Sequence, residues 1–379
     1  MITTWKYRIK DSGKTGRSLQ KMARSVNFVW NFAKQTQVNA FRARSARLVT
    51  EKKTSNLVAI PNIISAFELN NLVAGSSKEL GLHSQSVQAV TEEFSTRRKQ
   101  FGKLPRWRGR KSPGWIPWKA SGIKISGDSF KYAGQKFRFW NSRDLPLDAQ
   151  IKTGSLTEDK RGRWYLNITF QSEQIQGVSG REEIGMDIGV KTLASLSNGG
   201  KIERPNLREK FLRKMRALEK TRRFARRRAS KSKKQIALPK AKQERSLHAK
   251  IANTRSDYLH KQSTLLVSLA KVIVVGDVPC KLMNRSRNMA GISLDSGIGM
   301  FKKMLNYKAV RAGSMYLEVS ERNSTQTCSS CGWKHPKERR IGLGVREWRC
   351  ESCGSHHDRD TNAAINILRT GRRALSQCA

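Results

Sequence analysis

Apolar positions recur along this chain with two periods, and each switch between them marks a change of element. Thr4 to Ile9 (T-W-K-Y-R-I) alternates, which predicts a strand, and Asp11 to Gly16 predicts a turn. Leu19, Met22, Val26, Val29 and Trp30 then fall three and four apart with basic residues between them. That spacing predicts an amphipathic helix with one stripe on a core. Helical spacing returns over Ile63 to Val73 and Val87 to Phe101. From about Ser112 to Phe170 the pattern shortens to alternating runs with Gly turns. Gly122 to Ile125, Phe130 to Tyr132, Lys136 to Trp140 and Arg163 to Phe170 predict antiparallel strands, arranged as a small barrel.

Gly177 to Glu183 is polar and reads as a linker. Ile184 to Gly200 (I-G-M-D-I-G-V-K-T-L-A-S-L-S-N-G-G) predicts a hairpin of two buried strands, with Asp187 in the middle of the first. Phe211, Leu212, Met215 and Leu218 mark a helix, followed by a loosely ordered basic stretch over Lys231 to Pro239. A second helix runs to about Ala270 through Ile251, Tyr258, Leu259, Leu265, Leu266 and Leu269. Lys271 to Val275 is a buried strand ending at Gly276 and Asp277. Met300 to Ala312 predicts a helix, Met315 to Val319 a strand, and Asn362 to Leu368 a short helix with an apolar face. Strands interleaved with helices from Ile184 onward predict an α/β layer fold.

Charge narrows the function. The 379 residues include 75 Lys and Arg against 29 Asp and Glu, a net +46. A compact body with that excess repels itself unless a polyanion is present, and nucleic acid is the obvious partner. No apolar run reaches the length of a membrane span, which argues against integral insertion. Nine Trp and thirteen Phe argue against a purely disordered basic chain. Two stretches concentrate the cations. Arg106, Arg108, Arg110 and Lys111 interleave with Trp107, a combination suited to stacking on bases while holding phosphates. Arg222, Arg223, Arg226, Arg227 and Arg228 lie in the most basic segment, suited to phosphate neutralisation. A solvated charged face is the alternative for both.

Three groups carry candidate chemistry. Cys328 and Cys331, then eighteen residues, then Cys350 and Cys353 form paired CxxC turns, the spacing of a tetrahedral zinc ribbon; two disulfides or four free thiols are the alternatives. Gly332 and Gly354 follow the second Cys of each pair, where the backbone must curl around the metal. Cys280 and Cys378 have no such partner. No signal peptide is read at the N-terminus, so a reducing compartment is expected. Asp187 lies between apolar neighbours on a strand, a costly burial unless it binds a cation or a donor, and Gly185 and Gly189 leave room for a close approach. Asp358 and Asp360 precede the last helix, where Asp360 is either a site carboxylate or a helix cap.

The chain resembles a known family in the order of its motifs. These are G-M-D-I-G at 185, K-V-I-V-V-G-D at 271, L-N-Y-K-A at 305, S-T-Q-T-C-S-S-C-G at 324, R-E-W-R-C-E-S-C-G at 346 and H-D-R-D-T-N-A-A at 357. They are similar to those of TnpB, the OrfB-type protein of insertion sequences and relative of type V CRISPR effectors. The likeness covers the C-terminal half and is looser before it. It implies an α/β fold with β-barrel and helical parts: a wedge barrel over 1–16 and 105–180, interrupted by a helical recognition region over 17–104. An RNase H-like RuvC nuclease domain follows over 181–327, a zinc ribbon over 328–354 and the RuvC-like C-terminal part over 355–379. The resemblance further implies a transposon-encoded, RNA-guided DNA endonuclease that assists retention of its element. Its partners would be a guide RNA from the element's end and double-stranded target DNA, in the cytoplasm at the nucleoid, with a monomer as the expected state.

Carried over residue by residue, Asp187 is the first Mg2+-binding acid and Asp360 the third, with Asp358 two positions early. The second acid is usually a Glu where this sequence has Gly276, and Asp277 points to the opposite face if the strand persists. Glu347 is the expected substitute, with Glu321 and Glu318 next. The alternatives are a nuclease-inactive, RNA-guided DNA-binding protein or a DNA-binding transposition accessory factor without RNA. His356 and His357 flank the ribbon and are expected outside the zinc ligand set, which four Cys complete.

Overall fold

Trp5, Tyr7 and Ile9 fall on one face of β1 (Ile2–Arg8) and its extension, and they set the first core. The computed structural model of the protein describes residues 2–42, 47–50, 57–60, 63–172, 180–232, 241–277, 290–342 and 344–377. They divide into two compact units, Met1–Gln174 and Ile175–Ala379.

In the first unit, β1 pairs antiparallel with β9 (Trp164–Gln171). Strands β8 (Gln150–Glu158) and β4 (Trp115–Lys119) extend the sheet in the order β1-β9-β8-β4. In β9 the alternation is strict: Trp164, Leu166, Ile168 and Phe170 are buried, and the residues between them are half-buried. A three-stranded meander, β5 (Ile123–Ser126), β6 (Ser129–Tyr132) and β7 (Gln135–Arg138), meets this sheet at the Ile9–Phe139 bridge. The described strands form two sheets, linked at that bridge, around one core, in the region where the alternation predicted a small barrel. A hairpin of β2 (Arg47–Thr50) and β3 (Leu57–Ile60), unforeseen in the pattern, lies between the helices.

Helix α1 (Gly13–Arg42) buries Leu19, Met22, Val26, Val29 and Trp30, as their spacing predicts. It starts inside the expected turn because the Ser12 hydroxyl accepts the Thr15 N–H and caps it. Helix α2 (Ala66–Leu72) starts at a Ser65–Glu68 capping box. The short α3 (Ser77–Leu80) precedes α4 (Ser84–Phe101).

The second unit is a five-stranded mixed sheet. β10 (Glu182–Asp187), β11 (Thr192–Leu196) and β12 (Lys201–Glu203) are antiparallel; β13 (Ala270–Gly276) and β14 (Met315–Val319) run parallel to β10. The order is β12-β11-β10-β13-β14. Glu182 and Glu183, read as linker from their polarity, belong to β10, and residues 177–179 lie outside the described residues. Asp187 ends β10 instead of sitting mid-strand.

Helices cover both faces. α6 (Ala241–Leu269) and α8 (Ile298–Ala312) pack Leu259, Leu266, Phe301 and Leu305 on Met186, Ile273 and Val275. Each fully buried Leu or Phe contributes roughly 1.5–3 kcal/mol. On the other face, α9 (Arg359–Ser376) sets Ile367 and Leu368 on Val272, Val274 and Val319. This helix comes very close because Gly185 lacks a side chain: a Cβ there would lie 2.2 Å from the Ala364 carbonyl. The close approach that Gly185 suggested is therefore made by helix backbone. The basic segment forms α5 (Leu207–Ser232), and α7 (Ala290–Ser296) brings buried Asp295 to the Arg208 N–H and the Arg255 guanidinium. Most of the basic stretch over Lys231 to Pro239, together with Cys280 and Cys378, lies outside the described residues. Among the described residues no helix is long and apolar enough to cross a membrane.

Candidate metal centres

The four cysteines converge. Their sulfurs all lie within 4.8 Å of one another, with Cys328 and Cys350 buried and Cys331 and Cys353 exposed. Cys328–Cys353 and Cys331–Cys350 are 3.7 Å apart. That is far too long for a disulfide and matches the edge of a tetrahedron with metal–sulfur bonds of about 2.3 Å. Each CxxC folds as a knuckle: the Gly332 N–H donates to Cys328 O and the Gly354 N–H to Cys350 O, both at 2.9 Å. Gly332 (φ 80°) and Gly354 (φ 72°) take the left-handed curl that the sequence called for. The donor set fits Zn2+. The Ser355 hydroxyl beside Cys353 holds that thiol below its usual range. His357 Nε2 lies 3.1 Å from Cys328 Sγ, positioned to donate to a thiolate, while His356 is exposed beside Glu347. Trp333, His335, Trp348 and His357 pack in series beside the cysteines, edge to face for the first two contacts and tilted for the third, with centroids 4.7–4.9 Å apart.

The ribbon is fastened to α9. Asn362 accepts the Ser329 N–H at 2.8 Å and donates to the Thr327 carbonyl at 2.8 Å; Asn366 donates to Thr327 at 2.6 Å and Ser324 at 2.9 Å. Strand β15 (Glu347–Arg349) pairs with β16 (His356–Asp358), which runs directly into α9. The cap of α9 is Asp358: its carboxylate accepts the Asp360 and Thr361 N–H groups and the Lys201 ammonium. Asp360, in the first turn, pairs with Arg346 at 3.0 Å.

Asp187 lies at the end of β10 in the field of two other acids. Burial pushes its carboxyl up to about 7, the negative charges of Glu321 and Asp360 add to this, and Arg359 opposes it. Glu321, just past β14, is likewise raised, by burial and then by Asp277, with Lys302 opposing. Lys302 is buried, its ammonium 2.6 Å from Glu318 and 3.2 Å from the Gly276 carbonyl. So Asp187 lies within the electrostatic reach of Glu321 and Asp360, although among the described residues only the four cysteines have ligand atoms close enough together to share one ion; Glu347 lies on the outer ribbon strand, 70% exposed, 3.9 Å from His356. Carboxylates that raise one another in this way attract a divalent cation. Lys302, Arg346 and Arg359 were not singled out from sequence. Lys302 carries a detectable signal, a cation on the apolar stripe of Ile298, Phe301 and Leu305.

The predicted basic residues divide. Arg106, Arg110 and Lys111 are exposed beside Trp107, whose ring lies under Lys34 at 4.4 Å. Arg108 is spent internally, on Asn27 and the Pro113 carbonyl and against Trp30 and Trp115. Arg223, Arg226, Arg227 and Arg228 are exposed on α5, while Arg222 pairs with Glu244.

Two family descriptions match the chain: OrfB_IS605, "Probable transposase", over residues 168–287, and the Cas12f1-like TNB domain over residues 299–367. A protein of Streptomyces pristinaespiralis, provisionally named an RNA-guided DNA endonuclease, is 28% identical over 99% of this chain and 90% of its own. InsQ of Escherichia coli K12, named likewise, is 27% identical over 99% and 94%. The CRISPR-associated endodeoxyribonuclease Cas12f1 of Sulfoacidibacillus thermotolerans is 25% identical over 59% and 54%. Among solved structures, a Cas12f1–sgRNA–target DNA complex matches in fold with a TM-score of 0.54 and 14% identity, over 94% of this chain and 83% of that one. These matches uphold the resemblance read from the order of the motifs.

Proposed function

We infer from the TnpB-like character of this chain that it is an RNA-guided DNA endonuclease of a transposable element, hydrolysing phosphodiesters at a RuvC-like, Mg2+-dependent site. The observation that carries the reading is that Asp187 at the end of β10 lies in the field of Glu321, after β14, and of Asp360, on α9, in the same unit as a four-cysteine ribbon. Three antiparallel strands followed by two parallel ones, with α9 across β10 and β13, support the RNase H-like assignment of the second unit.

Asp187 and Asp360 are the acids that would hold Mg2+, which when bound activates water and stabilises the leaving oxygen. The chain's own contribution is placement. Asp358 caps α9 and fixes the first turn that carries Asp360. Gly185 lets α9 descend onto β10, so the two aspartates share one face. Arg359 keeps part of the repulsion at Asp187 in check. The cysteines would hold Zn2+ and stiffen the hairpin against α9. The guide would read sequence by base pairing while the exposed cations of α5 and of the Arg106–Lys111 loop hold phosphates.

The test is cleavage of a target plasmid library with Mg2+ by protein co-expressed with the RNA encoded at its element's end. Cutting that is lost in Asp187→Ala supports the reading. Gly276, where the family's second acid usually stands, favours one rival: a guided binder without nuclease activity, which would bind the target tightly and leave it intact.

A further inference from the structure

We propose that Glu321 is the missing carboxylate of this site, its side chain filling the space that a residue at Gly276 would otherwise enter. The proposal rests on the endonuclease reading and supplies the acid which that reading lacks.

The geometry is direct. A Cβ built on Gly276 would meet Glu321 Oε2 at 3.2 Å, Glu321 Cβ at 3.4 Å and Ile367 Cδ1 at 3.1 Å. The Glu321 carboxylate therefore lies over the strand end at which a glutamate at 276 would begin. The face is also right. Val272 and Val274 pack on α9, and by the two-residue period Gly276 faces the same way, towards the helix that carries Asp360. The rivals are less well placed. Glu318 is held by Lys302 from α8 on the opposite face, Asp277 is near enough to raise Glu321 but exposed beyond the strand, and Glu347 stands out on the ribbon. Among the charges that raise Asp187, Glu321 comes before Asp360.

The backbone that carries the carboxylate is also well held. The Ser324 N–H donates to the Glu321 carbonyl at 3.1 Å and closes a tight turn. The Ser324 carbonyl in turn accepts from Asn362 and Asn366 of α9, which ties Glu321 to the helix of Asp360. Lys302 bridges Gly276 O and Glu318 and offsets part of the cost of burying Glu321. A glutamate at 276 would crowd the Glu321 side chain and make it give way, so the two positions compete for the same space.

The experiment compares wild type, Glu321→Gln, Glu347→Gln and the double variant Gly276→Glu/Glu321→Ala, each as the RNA complex. Cleavage with Mg2+ is one readout. The second is backbone scission of the protein by hydroxyl radicals formed when added hydrogen peroxide is reduced by Fe2+ substituted for Mg2+, which maps the metal without requiring DNA cutting. RNA-dependent target binding reports folding. The expected result is cleavage reduced more than about a hundredfold in Glu321→Gln, beyond the usual cost of losing an outer-sphere partner. Target binding is kept, scission near residues 187, 321 and 360 is lost, and the double variant recovers cutting. Glu321→Gln cutting like wild type, or Glu347→Gln alone losing activity, would overturn the proposal. A wild type that binds but does not cut would sink the nuclease reading. Fe2+ scission then decides Glu321 separately: scission lost in Glu321→Gln upholds it, and scission unchanged refutes it.

Discussion

Asp187→Asn should stabilise the metal-free protein above neutral pH. The folded second unit holds the Asp187 proton up to about 7, because burial and the charges of Glu321 and Asp360 disfavour the anion. An unfolded chain releases that proton near 3.9. Between these values the folded state binds more protons than the unfolded one, so stability falls as pH rises from about 4 to about 7. Holding the proton to about 7 instead of near 3.9 corresponds to ~4 kcal/mol, all of it lost above pH 7. Asparagine keeps the volume and removes the charge, so the variant escapes this loss. For a unit of about 200 residues, each kcal/mol moves the unfolding midpoint by roughly 2–4 °C, which gives roughly 8–16 °C between variant and wild type at pH 8. The assay is a thermal melt at pH 5 and pH 8 without added divalent cations, and without chelator so that any ion held by the four cysteines stays bound. Excess Mg2+ should restore wild type at pH 8 by binding only the folded site, and should leave the variant unmoved. Melting curves of wild type and variant that shift in parallel from pH 5 to pH 8 would refute the picture of a strained acid cluster.

Three further outcomes follow from the same geometry. Arg346→Gln should lower the Mg2+ concentration for half-maximal cleavage by less than about tenfold, since the partly exposed pair with Asp360 is worth ~1 kcal/mol or less; a Mg2+ titration checks it. Asn362→Ala should destabilise by about 2–4 kcal/mol, because it leaves the buried Ser329 N–H without its acceptor and removes two further donations; urea denaturation reads this out. Cys350→Ser should abolish the single zinc per chain measured by elemental analysis and lower the melting temperature, the buried sulfur being one corner of the tetrahedron.

The sequence showed periodicity well and long-range placement poorly. The stripes of α1 and α8 and the alternation of β9 were legible because each is local and repeats. The cysteine cluster was legible because two knuckles of fixed spacing leave little freedom. Asp187 was read mid-strand, since nothing local marks where the pairing of β10 stops. Glu321 was weighed behind Glu347 because adjacency to a motif was the only distance available. What brings Glu321 to Asp187 is the parallel pairing of β13 between β10 and β14, a contact across more than a hundred residues. Arg108 and Arg222 looked like phosphate ligands by composition, yet Asn27 and Glu244 engage them inside their own units.

Asn362 and Asn366 of α9 grip the carbonyls of Ser324 and Thr327, just ahead of the first cysteine knuckle. The four-cysteine hairpin is therefore a graft with a defined root. A transplant from a related protein would have to bring or match the backbone of residues 324–329, or the recipient helix would lose its footing. Trimming beyond that root, for example over the exposed turn at 337–340, should be far better tolerated. For anyone shrinking this chain, the place to cut is the tip of the ribbon and never its base.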